Sequence, residues 1–221
     1  MQKISLIILL SILTIGLFAQ NQIRLKAGFL SSYTYVAEYQ QPGQGFLLDS
    51  VELDKRVFSP LASLDIDIDL GKNLYMVSGF GYSRRGLEEI ENTDIFGVTR
   101  SKSARQNYLG LHIQLKYYYR FKDSKIGLFL ASGPKIDFAI GPANYAEYSL
   151  APGNEYFHAF GSFNVVEFLW YTNLGVSYQL GPGELFFDIN MLNGLSRVLR
   201  NSHIVAKSLS VGAAIGYSVY L

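Results

Sequence analysis

The sequence predicts an all-β protein: an eight-stranded antiparallel transmembrane β-barrel with short periplasmic turns and long extracellular loops. Three observations carry this expectation. From Lys207 to Leu221 the residues alternate between two faces, which is the period of a strand and not of a helix. The amino-terminal segment has the pattern of an export signal, and no later run approaches the roughly 20 apolar residues a spanning helix needs. A membrane protein without such helices must close its sheet into a barrel. Finally, eight strand-like segments are joined by links that alternate short and long.

The chain opens with Lys3 and an apolar run from Ile4 to Phe18, followed by the small Ala19 before Gln20. This predicts a signal peptide over 1–19 and an outer-membrane β-barrel domain over 20–221. Cysteine is absent, so there is no disulfide framework, no thiolate chemistry and no lipid-anchored cysteine. Charged residues make up 17 % of the chain, low for a soluble surface, and Tyr (16) and Phe (15) are abundant. A net charge of +1 gives no long-range attraction to nucleic acid.

The expected strands are 23–36, 59–71, 74–84, 105–121, 125–141, 163–180, 184–194 and 204–221. In the second, Ala62, Leu64, Ile66, Ile68 and Leu70 share one face, and Ser63, Asp65, Asp67 and Asp69 the other. The fourth opposes Leu109, Leu111, Ile113 and Leu115 to Tyr108, Gly110, His112, Gln114 and Lys116. The fifth opposes Leu128, Leu130 and Ile136 to Phe129, Gly133, Lys135 and Asp137, and its Pro134 predicts a bulge or local distortion. The sixth sets Phe168, Trp170, Leu174 and Val176 against Tyr171, Asn173, Gly175 and Ser177. In the last, Leu209, Val211, Ala213, Ile215, Tyr217 and Val219 oppose Ser208, Ser210, Gly212, Ala214, Gly216 and Ser218. One face is apolar throughout. The other is polar or small, as the concave wall of a narrow barrel requires.

The short links are Lys72-Asn73, Lys122-Asp123-Ser124 and Gly181-Pro182-Gly183, which suit tight turns. The long links cover about 37–58, 85–104, 142–162 and 195–203. This alternation puts the short turns and both chain ends in the periplasm. Tyr33, Tyr35, Phe80, Tyr82, Phe138, Phe168 and Trp170 then fall toward the outer ends of the strands. Tyr117, Tyr119, Tyr178, Phe187 and Tyr217 fall toward the periplasmic ends, giving the two aromatic girdles of an interfacial barrel.

Several local patterns carry a resemblance. They are Ala19 before Gln20, Lys26-Ala27-Gly28, the strand Tyr108-Leu109-Gly110-Leu111-His112-Ile113-Gln114-Leu115-Lys116-Tyr117, the run Leu128-Phe129-Leu130-Ala131-Ser132-Gly133-Pro134, and the closing Leu209-Ser210-Val211-Gly212-Ala213-Ala214-Ile215-Gly216-Tyr217. With these the chain resembles the small outer-membrane β-barrel proteins of Bacteroidota, the porin-family group that includes the PorT-like proteins. The terminal Leu221 departs from the aromatic usual there. The resemblance implies an outer-membrane location. It implies no activity and carries over no catalytic residue.

Few residues carry chemistry. Asp65, Asp67 and Asp69 fall in one lumen-facing column, where three carboxylates repel unless cations answer them. Lys26, Arg84, Lys116, Lys135 and Lys207 are the candidate answers, and a charge network filling the barrel is the expectation. Metal binding by the carboxylates is the sharper alternative, without the loop geometry of a calcium hand. His112 faces inward as a hydrogen-bonded filler, while His158 and His203 fall in external loops. No nucleophile–base set, zinc motif or phosphate loop occurs. No residue is therefore assigned a catalytic, cofactor-binding or metal-binding role. Arg84, Arg85, Arg100, Lys102 and Arg105 flank the outer rim, where cationic side chains suit lipopolysaccharide phosphates.

The expectation is a non-enzymatic outer-membrane barrel with a closed lumen and a structural or interaction role. Its partners are outer-membrane lipid, including lipopolysaccharide, and an unnamed periplasmic or surface protein. The alternatives are a narrow channel or porin-like transporter, and a lipid-modifying enzyme using His112 or His158.

Overall fold

The computed structural model describes residues 21–39, 57–91, 100–148, 162–200 and 204–221. The expected signal peptide, much of the long links, and His158 and His203 lie outside the described residues. Among the described residues the barrel strands are β1 (Gln22–Tyr39), β2 (Val57–Gly71), β3 (Leu74–Glu91), β4 (Arg100–Arg120), β5 (Ile126–Tyr148), β7 (Val166–Leu180), β8 (Gly183–Gly194) and β10 (Ile204–Tyr220). They close in the order β1-β10-β8-β7-β5-β4-β3-β2, every pair antiparallel. Two short strands, β6 (Ser162–Phe163) and β9 (Leu199–Arg200), pair with each other outside the barrel.

Closure follows from the terminal strands. Gln22 pairs with Tyr220 and the register runs unbroken to Val36↔Ala206, so neither end strand is left as an open edge. The short turns form as expected. Lys72 and Asn73 both take positive φ (53° and 64°), which matches a two-residue hairpin of the mirror-image type I class. Gly71 precedes them at φ 84°, where a side chain would be strained.

The alternating faces are as expected. On β4, Leu109, Leu111, Ile113 and Leu115 point outward and are about half exposed, while Tyr108, His112, Gln114 and Lys116 are buried. The same split holds on β10, where Val211, Ile215 and Val219 are exposed and Ser210, Ala214 and Ser218 are buried. A continuous apolar outer wall around a closed sheet can only be covered by lipid. Tyr117, Tyr119, Phe121 and Tyr178 ring its turn end; Phe138, Phe168 and Trp170 lie toward its loop end.

The strand ends differ from expectation. Pairing of β3 with β4 continues from Gly86↔Arg105 out to Glu91↔Arg100, so the expected link 85–104 is largely an extended hairpin. Past the lipid the backbone ladder no longer needs an apolar face, so the alternation fades before the strand does. The expected strand 163–180 splits at Asn164, whose N–H donates to the Val198 carbonyl at 2.8 Å instead of to the barrel.

Pro134 makes no bulge, but it does distort the ladder locally, the other outcome expected of it. The β4–β5 register is the same on both sides of it (His112↔Lys135, Leu115↔Ser132), but the two intervening pairs are missing. Both depend on a donor at position 134 facing the Ile113 carbonyl, and proline has none. The register shift in this hairpin lies instead between Arg105 and Asn107. There Gly141 takes φ 69°, and the Gln106 amide donates to the carbonyls of Ile140 (3.2 Å) and Gly141 (3.3 Å).

Candidate functional site

The lumen contains the site. Among the described residues five buried cations, Arg24, Lys26, Arg85, Lys116 and Lys135, meet the buried carboxylates Asp65, Asp67, Asp137, Glu167 and Asp188. They are placed there by strand alternation, because each sits on the concave face of its strand.

Toward the loop end, Arg85 of β3 reaches over two strands. Its Nη2 lies 2.6 Å from Asp137 Oδ2 on β5, and its Nη1 lies 3.1 Å from Glu167 Oε2 on β7. The guanidinium carbon sits 4.1 Å from the centre of the Tyr108 ring, and the Tyr108 hydroxyl donates to Glu167 at 2.6 Å. Lys135 Nζ lies 2.9 Å from Asp137 Oδ1.

At mid-height, Lys26 of β1 donates to the Tyr171 hydroxyl (2.7 Å) and Asn190 Oδ1 (3.2 Å), and lies 3.3 Å from Asp188 Oδ2. His112 Nε2 is 3.3 Å from Asp65 Oδ1, and its ring stands edge-on to Tyr171 at 5.3 Å. Gly79 lies between them on β3, paired with both His112 and Asp65. A Cβ there would run into the Asp65 carboxylate, so the glycine is what lets the two meet.

Toward the turn end, Asp67 Oδ2 accepts from Lys116 Nζ at 2.5 Å and lies 3.6 Å from Arg24 Nη1. Arg24 stacks on Phe186 (4.2 Å) and Phe129 (5.0 Å). Below this, Arg120 pairs with Glu184, and its Nη2 donates to the hydroxyls of Tyr220 (2.9 Å) and Tyr118 (3.3 Å). An open pocket of about 470 Å³ lies beside this cluster.

The expected carboxylate column therefore divides. Asp65 and Asp67 are buried lumen groups, but Asp69 is partly exposed and accepts the Gly71 N–H at 2.6 Å, capping the turn. Of the candidate cations, Lys116 answers the column, while Lys26 and Lys135 face inward but answer Asp188 and Asp137. Arg84 and Lys207 are corrected to the outer face. Arg84 pairs with Asn107, one place out of step with the buried Arg85↔Gln106 pair, and Lys207 is out of step with buried Ser208 and Ser210. Arg85, expected at the rim, is 3 % exposed inside the lumen. Arg24, Glu167 and Asp188 are inward residues that the sequence reading does not single out, although each lies within an expected strand, two to four residues along the period-two face from Lys26, Tyr171 and Phe186.

No group of three or more His, Cys, Asp or Glu residues among the described residues could hold a metal ion. His112 has Asp65 beside it but sits deep in the lumen, 3 % exposed, so it is not at a lipid-facing rim where a lipid-modifying base would have to be.

The family model for the outer membrane protein beta-barrel domain matches residues 18–200. The chain belongs to this outer-membrane β-barrel family. It is accordingly a β-barrel of the outer membrane. Among solved structures the barrel is similar to Ail of Yersinia pestis in complex with the heparin analogue sucrose octasulfate, at 11 % identity and TM-score 0.41, covering 90 % of this chain and 99 % of that one. It is also similar to Neisserial surface protein A (14 % identity, TM-score 0.44, 90 % and 97 % covered). A third is the N-terminal barrel of Pseudomonas aeruginosa OprF (9 % identity, TM-score 0.37, 90 % and 98 % covered). No curated protein sequence matches the chain.

In this outer-membrane barrel the lumen chemistry is ionic and balanced. Each buried cation has a carboxylate within ion-pair distance, so the interior presents little net field to draw in ions. Buried charges so arranged are held because removing one partner strands the other.

Proposed function

We propose that this barrel is closed to solutes and serves a structural or interaction role through its two ends. The observation that carries this reading is the set of bonds that bypass intervening strands. Arg85 joins β3 to β7, Lys26 joins β1 to β8, and Gln114 of β4 donates to the Tyr171 carbonyl of β7 at 2.9 Å. Tyr118 of β4 donates to Glu184 of β8 at 3.0 Å. An eight-stranded barrel has an interior just wide enough to be filled by side chains, and struts at successive heights fill it. Reconstituted protein should give no steady conductance in planar bilayers and no size-dependent liposome swelling. A reproducible conductance that changes in Lys116→Ala overturns the reading.

The second reading is a narrow channel. It draws support from the turn-end pocket and from buried polar atoms without a protein hydrogen-bond partner, such as Asp67 Oδ1 and Arg24 Nη2. These make the lining compatible with water, and the same conductance measurement decides between the two.

At the loop end the proposed lipid partner is lipopolysaccharide. Arg84 and Arg105 lie on the outer face of neighbouring strands. Two guanidinium groups so placed suit lipid phosphates. Weaker retention of lipopolysaccharide by the double variant Arg84→Gln/Arg105→Gln would test this. Removal of residues 1–19 on export, checked by a mature terminus at Gln20, and a place among the PorT-like barrels of Bacteroidota complete the proposal.

A further inference from the structure

We propose that the pocket at the turn end of the barrel binds a pyranose sugar of a glycan presented from the periplasmic side. The pocket measures about 470 Å³ and is lined by Gln22, Asn73, Tyr75, Tyr118, Arg120 and Tyr220. It sits where both terminal strands and the first short turn converge, the end that faces the periplasm in barrels of this type. Its volume falls within the range of small-ligand sites.

The lining selects the ligand class. Tyr75 and Tyr118 stand edge to face at 6.2 Å, and Tyr220 adds a third aromatic wall. Aromatic faces favour a ligand with flat, weakly polar C–H surfaces. The same pocket is lined by the Gln22 and Asn73 amides and by Arg120, which pairs with Glu184. Arg120 and Glu184 neutralise each other, so neither an anion nor a cation is favoured by net charge. Arg120 and the Tyr118 and Tyr220 hydroxyls bond to one another and to Glu184, so the groups left for a ligand are the Asn73 and Gln22 amides beside the Tyr75 ring. A neutral ligand carrying both apolar faces and many hydroxyls matches this set, and a pyranose has both.

A second, independent feature points the same way. Gln22 is 5 % exposed, and its side-chain carbonyl oxygen has no hydrogen-bond partner in the protein. A buried acceptor left unmade costs free energy, and a ligand hydroxyl donating to it would remove that cost. The pocket is exposed from one end, so the inference stands whether or not the lumen conducts.

The test uses the full-length barrel in a zwitterionic detergent free of sugar, because alkyl glycosides carry the competing headgroup. Saturation-transfer-difference NMR is recorded with two probes: an N-acetylglucosamine oligomer, representing cell-wall glycan, and a maltooligosaccharide, representing a free glucan. Saturable binding to the first alone identifies a wall-type ligand, and binding to both identifies the ring itself as the determinant. Tyr75→Ala and Gln22→Leu should each weaken binding by roughly tenfold, while Tyr75→Phe, which keeps the ring, should retain most of it. Heat-modifiable gel migration shows that each variant is folded. Absence of saturable binding to either probe overturns the proposal, as does equal binding by folded Tyr75→Ala.

Discussion

Asp67 should be a costly lumen carboxylate to remove, because two buried cations depend on it. Its Oδ2 accepts from Lys116 at 2.5 Å and lies 3.6 Å from Arg24, and the Asp67 side chain is fully buried. Asp67→Ala leaves both cations without their carboxylate. Breaking a buried pair costs about 3–5 kcal/mol. Ring contacts moderate this: Arg24 rests on Phe186 and Phe129, and Lys116 lies 5.2 Å from the Tyr75 and Phe129 rings. Such contacts return about 0.5–2 kcal/mol when desolvated, which places the net cost nearer 3 than 5 kcal/mol. Lys116→Met is the informative companion. It leaves Asp67 paired with Arg24 and fills the space with an apolar chain of similar length, so its cost should be only about 1–3 kcal/mol. The assay is reversible urea unfolding in lipid vesicles. Trp170 is the only tryptophan and sits on the lipid face, so its fluorescence reports loss of the inserted state. If Lys116→Met costs as much as Asp67→Ala, or if Asp67→Ala is neutral, the shared-anion account is wrong.

Gly110→Ala should destabilise by about 1–3 kcal/mol in the same unfolding assay, because the new Cβ runs into the Asp137 carboxylate and comes within 2.8 Å of Lys135 Cε. On the lipid face, Ser132 Oγ accepts from Trp170 Nε1 and bonds Thr172 Oγ1, both at 2.9 Å. Ser132→Ala strands both partners against lipid and should cost about 1–3 kcal/mol. Trp170→Phe removes one bond and should cost about 0.5–1.5 kcal/mol. Cold and heated gel migration across a urea series ranks the two without relying on tryptophan emission, and the reverse order would count against the bonds.

The faces were legible in the sequence and the partners were not. Period two fixes which side of a strand a residue takes, so Tyr108, Phe129, Tyr171, Phe186, Gln114, Lys116 and Lys135 could all be placed inside from alternation alone, and all are buried. Partner choice depends on register across several strands and on how far a long side chain leans. Lys116 is level with Tyr75 on β3, and Tyr75 is level with Asp69 on β2. Simple levelling would join Lys116 to Asp69. The lysine leans two residues along the barrel to Asp67 instead, and Asp69 is left to cap the turn. Arg24 likewise pairs with Asp65 across the ladder yet lies within ion-pair distance of Asp67. Arg85 was misplaced because the strand outruns its apolar alternation, so its apparent position at a loop margin hid its inward face.

The same two features explain how so narrow a barrel holds so many ions. Large lumen groups are seated against glycines on the neighbouring strand: Asp137 opposite Gly110, and Phe129 opposite Gly175. At Gly175 a Cβ would meet the Phe129 ring, so the glycine is the space the ring occupies. Without these gaps the ions could not approach their partners, and each would carry a desolvation penalty with no compensating charge. With them, every buried cation among the described residues has a carboxylate, and most of the buried carboxylates touch more than one donor. Glycine placement and charge placement are therefore a single constraint on this interior. A change to either at one height is felt by the strut at that height, whereas the apolar outer wall tolerates exchange among residues that lipid can cover.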